Sequence, residues 1–269
     1  MTGKNTKNRI IYLIPALLAM FIYNSFSIAG FYLVDRVGIR ALKIPESVLE
    51  HQSSLIDTIS TSVLLLVYLI WLKCLRDRRT SSETEKRMLP KAAMMALGFN
   101  GMASLWFVFV DTYLVKHVEL IEKSVNNFTE TWSDVGNENY FWVLLSVVIV
   151  GPVVEEMLFR GVVFHYLEKI RGGAFPVVFS ALFFGIWHGE PVQMVYTAVI
   201  GIGLGIIYYR TRNLKMSIAA HMFNNLLSTL PPAWDTEAVN HGISMAALAM
   251  VLPTIILLSC MAAKGPKRA

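Results

Sequence analysis

The sequence predicts an all-α membrane helix bundle of about eight spans, with both termini cytoplasmic. Three observations predict it. The chain of 269 residues is 55% hydrophobic and 16% charged, against about 25% charged residues in soluble domains. Long uncharged runs recur over the whole length, which points to one membrane domain, 1–269, and not to a soluble domain with an anchor. Charged residues gather in the short loops between those runs, so the net charge of +5 marks membrane topology and no nucleic-acid surface.

The spans follow in order. Lys4, Lys7 and Arg9 precede an apolar run over 10–34, which is too long for a signal peptide and has no small-residue cleavage site after it. Further spans are expected at 55–72, 92–115 and 140–167. The loop 73–91 is the most basic in the chain, a solvated topogenic segment that would also attract anionic lipid. Residues 116–139 are polar and acidic, with room for a short amphipathic segment. After 167 the apolar runs crowd together, at 174–188, 192–209, 214–230 and 242–263. Within the one domain, 1–139 holds three spans and their loops, 140–230 the core, and 231–269 the outer loop, last span and basic tail. With the N-terminus inside, 18 of the 24 Lys and Arg fall in cytoplasmic segments. That asymmetry is the one the positive-inside rule expects, and an odd number of spans would spoil it.

The stretch that stands out is Gly151-Pro-Val-Val-Glu-Glu-Met-Leu-Phe-Arg-Gly161. It puts Glu155, Glu156 and Arg160 inside an apolar segment, where ionisable groups are costly and face protein or a water-filled cavity. Glu156 and Arg160 are i and i+4 with the glutamate first, the better order for a helical pair. Glu155 points about 100° away, so one carboxylate can be held while the other works. Pro152 is expected to kink the helix, freeing carbonyls that are tolerated where they line a cavity.

Two more polar groups interrupt apolar runs: Phe183-Phe-Gly-Ile-Trp-His188, and Ala219-Ala-His221-Met-Phe-Asn-Asn225, in which His221 and Asn225 share a face. One membrane histidine is more often a packed, hydrogen-bonded residue than a catalytic one. Two in the same half as a Glu-Glu pair weaken that bland alternative. Together a carboxylate and a histidine can take a proton from water. A histidine and an asparagine can donate to the oxyanion formed when water attacks an amide. Glu and His also suit Zn²⁺, although the His-Glu-x-x-His helix of metalloproteases is absent.

Glu155-Glu156-x-x-x-Arg160, Phe184-x-x-x-His188 and His221-x-x-x-Asn225 occur in that order on three apolar helices. This pattern resembles the CPBP intramembrane proteases, also called the Abi or type II CAAX prenyl protease family. The resemblance covers 140–230; the first three spans share only their membrane character. It implies endoproteolysis of a membrane-bound or prenylated (CAAX-type) protein or peptide, with the site reached from the cytoplasmic side of a bacterial or archaeal cell membrane. Glu155 would activate water and His188 help hold it. His221 and Asn225 would form the oxyanion hole, with Glu156 and Arg160 completing the site. The resemblance requires no cofactor; if Zn²⁺ is used, Glu155, His188 and His221 are the ligands expected. A competing function is a non-proteolytic peptide-binding protein that gives bacteriocin self-immunity or acts as a scaffold. A proton-coupled transporter ranks last, because the first three spans lack matching polar breaks.

The rise per residue sets a constraint on any shared site. Counted from the inner span ends at about 1.5 Å per residue, His221 lies shallower than Glu155 and His188, so tilted or short helices are expected. Remaining features have plainer uses. Gly201-x-Gly203-x-Gly205 reads as close helix packing, His165 as structural, and His51, His117 and His241 as surface residues. Most of the six tryptophans fall near span ends, where interfacial aromatics belong; Trp187, beside His188, could also line a substrate path. Asn127-Phe-Thr129 is a formal glycosylation sequon. Cys74 and Cys260 lack metal or redox spacing and read as free thiols.

Overall fold

A computed structural model describes residues 9–41, 43, 52–75 and 85–265. The segment with Lys4 and Lys7, His51, the centre of the basic 73–91 loop and the end of the tail lie outside the described residues. Among the described residues the regular structure is all helix, joined by short turns and loops. We number the helices α1 (Leu13–Leu33), α2 (Ser53–Leu75), α3 (Glu85–Phe109), α4 (Glu119–Gly136), α5 (Tyr140–Ile170), α6 (Phe175–Trp187), α7 (Pro191–Thr211), α8 (Leu214–Ser228) and α9 (Glu237–Ala263).

All eight expected apolar segments are helices, and the amphipathic segment is α4. Six of the helical segments are long and apolar enough to cross a membrane: Ile10–Leu33, Ser53–Leu75, Leu89–Leu114, Tyr140–Ile170, Pro191–Thr211 and Glu237–Ala263. The other two are short. α6 has 13 residues and α8 has 15, about 20 and 22 Å against a hydrocarbon core of about 30 Å. The short helices carry His188 and His221. Ile14, Phe21 and Ile28 of α1 are 64%, 66% and 70% exposed at a heptad spacing. Such an apolar stripe suits lipid, and the protein is an integral membrane protein.

The chain forms two compact units, each built from two chain segments. The first comprises 1–77 and 131–170, hence α1, α2 and α5; the second comprises 78–130 and 171–269, hence α3, most of α4 and α6–α9. The 140–230 core segment is thus divided at 170.

In the first unit α2 packs on both α1 and α5. Tyr68 is buried and donates to the Ala19 carbonyl of α1 at 2.8 Å, while Trp71 Nε1 donates to Tyr166 of α5 at 3.3 Å. Glu138 caps α2 by accepting from the Ser54 backbone N–H at 2.8 Å and from the Ser53 hydroxyl. A carboxylate at a helix N-terminus satisfies orphan donors and complements the helix dipole. Helix α5 is not a uniform α-helix. It widens to π turns at Leu144–Val150 and Met157–Val163, on either side of Gly151–Glu156. Gly151 N–H bonds back to the Ser146 carbonyl. Pro152 supplies no N–H, so the expected kink is taken up by this wider turn. A Cβ on Gly151 would stand 2.3 Å from that carbonyl oxygen, so only glycine fits.

The second unit centres on a core of Met95 and Phe99 from α3, Leu204 and Ile207 from α7, Met216 from α8 and Met261 from α9. α6 and α7 form a tight hairpin. A Cβ on Gly185 would meet the Met194 carbonyl oxygen at 2.5 Å, and Gly201 lies against Ala181 and Phe184. The Gly201–Gly205 stretch is therefore close packing, as read from the sequence. Asn213 caps α8 by accepting from Lys215 N–H at 3.0 Å, after Arg212 turns the chain at φ +52°.

Candidate functional site

The first unit holds the carboxylates. Glu156 and Arg160 are both completely buried, and Arg160 Nη1 donates to Glu156 Oε1 at 2.7 Å. This is the expected i,i+4 pair, at the length of a charge-assisted bond. Glu155 lies on a different face of the same turn and is only partly buried. Arg160 interacts electrostatically with both glutamates, but its short bond is to Glu156. The π turns flanking this segment are a common signature of functional sites, where a widened turn re-aims side chains.

Asp57 of α2 is a residue that the sequence reading passed over. Its carboxylate lies near the buried Ser146 hydroxyl and within electrostatic reach of Glu155. Tyr23 of α1 is within electrostatic reach of the same two acids. The signal was available: Asp57 is an ionisable residue inside a predicted span. It was masked by its position near the span end, where a charge costs little.

The second unit holds the histidines. His188 sits at the C-cap of α6, and Nδ1 lies 2.8 Å from the Phe184 carbonyl one turn earlier. A carbonyl only accepts, so Nδ1 carries the proton in that bond and the neutral ring has its lone pair on Nε2. His221 of α8 is buried at 4% exposure. Both imidazoles meet the Phe184 ring edge to face, His188 at 4.7 Å and His221 at 5.6 Å between centroids. Trp187 flanks His188 at 5.2 Å. Asn225 follows His221 by one turn, and its side-chain oxygen accepts from Asn224 Nδ2 at 3.2 Å. That bond orients the amide so that its NH₂ can serve as a donor elsewhere. His165 lies against Tyr166 in the first unit, edge to face at 5.4 Å. Cys74 and Cys260 are free and exposed.

Each unit therefore gathers one half of the predicted residue set. Glu155, Glu156 and Arg160 form one group, joined by Asp57; His188, His221 and Asn225 form the other. Among the described residues no group of three or more His, Cys, Asp or Glu side chains has the spacing to hold a metal ion.

Comparison with known proteins agrees with the motifs. Residues 137–227 match the family model "Type II CAAX prenyl endopeptidase Rce1-like". A stretch of 77 residues is 31% identical to the "Putative membrane peptidase YdiL" of Bacillus subtilis (strain 168), covering 29% of this chain and 32% of that protein. The chain thus matches about a third of that relative's length. No solved structure matches. The matched residues 137–227 include all six residues singled out by the motifs, and the family they match is the one that the motifs resemble.

Proposed function

We propose that the protein is an integral-membrane endopeptidase that hydrolyses one peptide bond of a membrane-bound or prenylated CAAX-type substrate. Glu155 accepts a proton from water as the water oxygen attacks the scissile carbonyl carbon. His188 holds that water through Nε2, whose lone pair is set by the Nδ1–Phe184 bond. His221 and Asn225 donate hydrogen bonds to the oxyanion of the tetrahedral intermediate. Glu155 then returns the proton to the leaving amine nitrogen as the C–N bond breaks. Glu156 and Arg160 neutralise each other and hold this turn of α5. The substrate is reached from the cytoplasmic side of a cell membrane.

The observation that carries this reading is the pairing of His188 and His221 on one phenylalanine ring, each on a short helix. A packing role would favour long apolar helices with no imidazole pair. The test is purified protein in detergent with a prenylated CAAX peptide and a panel of membrane-anchored propeptides. Cleavage is expected, and Glu155→Gln should slow it by about 10²–10⁴-fold, the usual worth of a general base. Unchanged cleavage by the Glu155→Gln protein would overturn the assigned mechanism.

A further inference from the structure

The turn that follows His188 is held from outside by groups that no motif includes. His188 ends α6, Gly189 takes φ +84°, Glu190 is the N-cap of α7, and Pro191 opens that helix. Glu190 N–H bonds to the His188 carbonyl at 3.0 Å. Such a three-residue turn would let the imidazole wander unless its far side is anchored. The anchor is Val192, which is completely buried. Its N–H, one of the orphan donors of a helix start, bonds to the Ser124 hydroxyl of α4 at 3.0 Å. Its carbonyl accepts from Trp106 Nε1 of α3 at 2.8 Å. Both backbone groups of one residue are thus bonded to side chains from two other helices.

Ser124 itself is 2% exposed, on an amphipathic helix whose neighbouring residues are mostly exposed. Two further contacts dock that helix at the same place. Asn127 Nδ2 donates to Glu190 Oε1 at 3.3 Å. Phe128 packs on Phe107 of α3 and Tyr196 of α7, at 5.2 and 6.4 Å between centroids. All of these residues belong to the second unit.

We infer that Ser124 and Trp106 are positioning residues for His188: their bonds to the two backbone groups of Val192 hold the 188–191 turn so that the imidazole keeps one orientation. The inference rests on the endopeptidase reading. α4 serves as a brace across the tip of the α6–α7 hairpin, and this explains why a polar, amphipathic helix carries one fully enclosed serine. A hydroxyl there substitutes for the capping side chain that Glu190 does not supply.

The experiment uses the full-length protein in detergent, with Ser124→Ala, Ser124→Thr, Trp106→Phe and Glu155→Gln measured together. For each, kcat and KM of peptide cleavage are determined alongside amide hydrogen exchange of the 188–196 segment. Ser124→Ala and Trp106→Phe are expected to lower kcat about 10-fold with KM within about two-fold, and to speed exchange at Val192 or Met194. Ser124→Thr keeps the hydroxyl and should restore kcat to within about two-fold. Faster exchange with unchanged kcat would overturn the positioning role, and unchanged exchange would overturn the brace. A kcat loss that Ser124→Thr does not restore would also count against it. Should Glu155→Gln cleave as fast as wild type while Ser124→Ala is impaired, the general-base assignment fails and the brace stands. A wild-type protein that cleaves none of the substrates overturns both.

Discussion

The two units solve opposite problems. In the first, a long helix carries charge into a fully enclosed place: Glu156 and Arg160 are both 0% exposed and meet at 2.7 Å. The charges are held by each other and by a helix that widens on either side of them. In the second, the polar groups sit on short helices, His188 partly exposed at a terminus and bonded to the Phe184 carbonyl, His221 buried mid-helix against the same Phe184 ring. Buried charge needs a partner, because the desolvation cost is otherwise unrecovered. A neutral imidazole at a helix end needs only a hydrogen bond and a wall. The Glu156–Arg160 pair should accordingly respond to substitution with lost stability, and the His188, His221 and Asn225 group with lost rate.

The largest effect tests that contrast directly. Arg160→Met leaves Glu156 enclosed without its partner and should cost about 3–5 kcal/mol, read as thermal or denaturant unfolding in detergent. Pairing it with Glu156→Leu should recover most of the loss. A stable single variant would show that the pair is not what holds the first unit.

In the second unit Asn225→Ala should lower kcat by about 10²–10³-fold with little change in unfolding midpoint, as expected for an oxyanion donor. If stability falls and the rate per folded molecule does not, Asn225 is a packing residue and the contrast collapses.

Two glycines sharpen the comparison at smaller scale. Gly151→Ala would press a methyl against the Ser146 carbonyl of its own helix, and Gly185→Ala against the Met194 carbonyl of the neighbouring helix. Each should destabilise by about 1–3 kcal/mol through overpacking. Gly136, where an added Cβ meets nothing within 4 Å, should accept alanine with a gain of about 0.4–1 kcal/mol. Differential unfolding of the three variants checks this.

A coupling between two first-unit residues concerns Asp57. Asp57→Asn and Glu155→Gln should be non-additive in stability by about 0.5–3 kcal/mol, because the two carboxylates interact. The exposed Asp111 offers the matched control, with no coupling to Glu155 expected in the same double-variant cycle.

Much of this was legible in the sequence because it is local. Apolar runs and loop charges reveal helices and their number, since every backbone group in lipid must be bonded within its own segment. The i,i+4 spacing predicted the Glu156–Arg160 pair, and the two histidine motifs predicted residues that do come together in space. Asp57 was not found, because its proximity to Glu155, 98 positions away in the chain, arises from α2 packing on α5. The π turns were not found either; Pro152 signalled a disturbance but not its form.

By itself, then, the sequence determined the helical membrane class, the order of the helices and the chemical character of each polar group, because these follow from composition and from a period of about 3.6 residues. Tertiary structure decided the rest. It brought His188 and His221 to one ring. It drew Asp57 to Glu155 and placed Ser124 and Trp106 on Val192. Those are relations between segments far apart in the chain, created by close packing, and no local pattern encodes which distant side chain will fill a given gap.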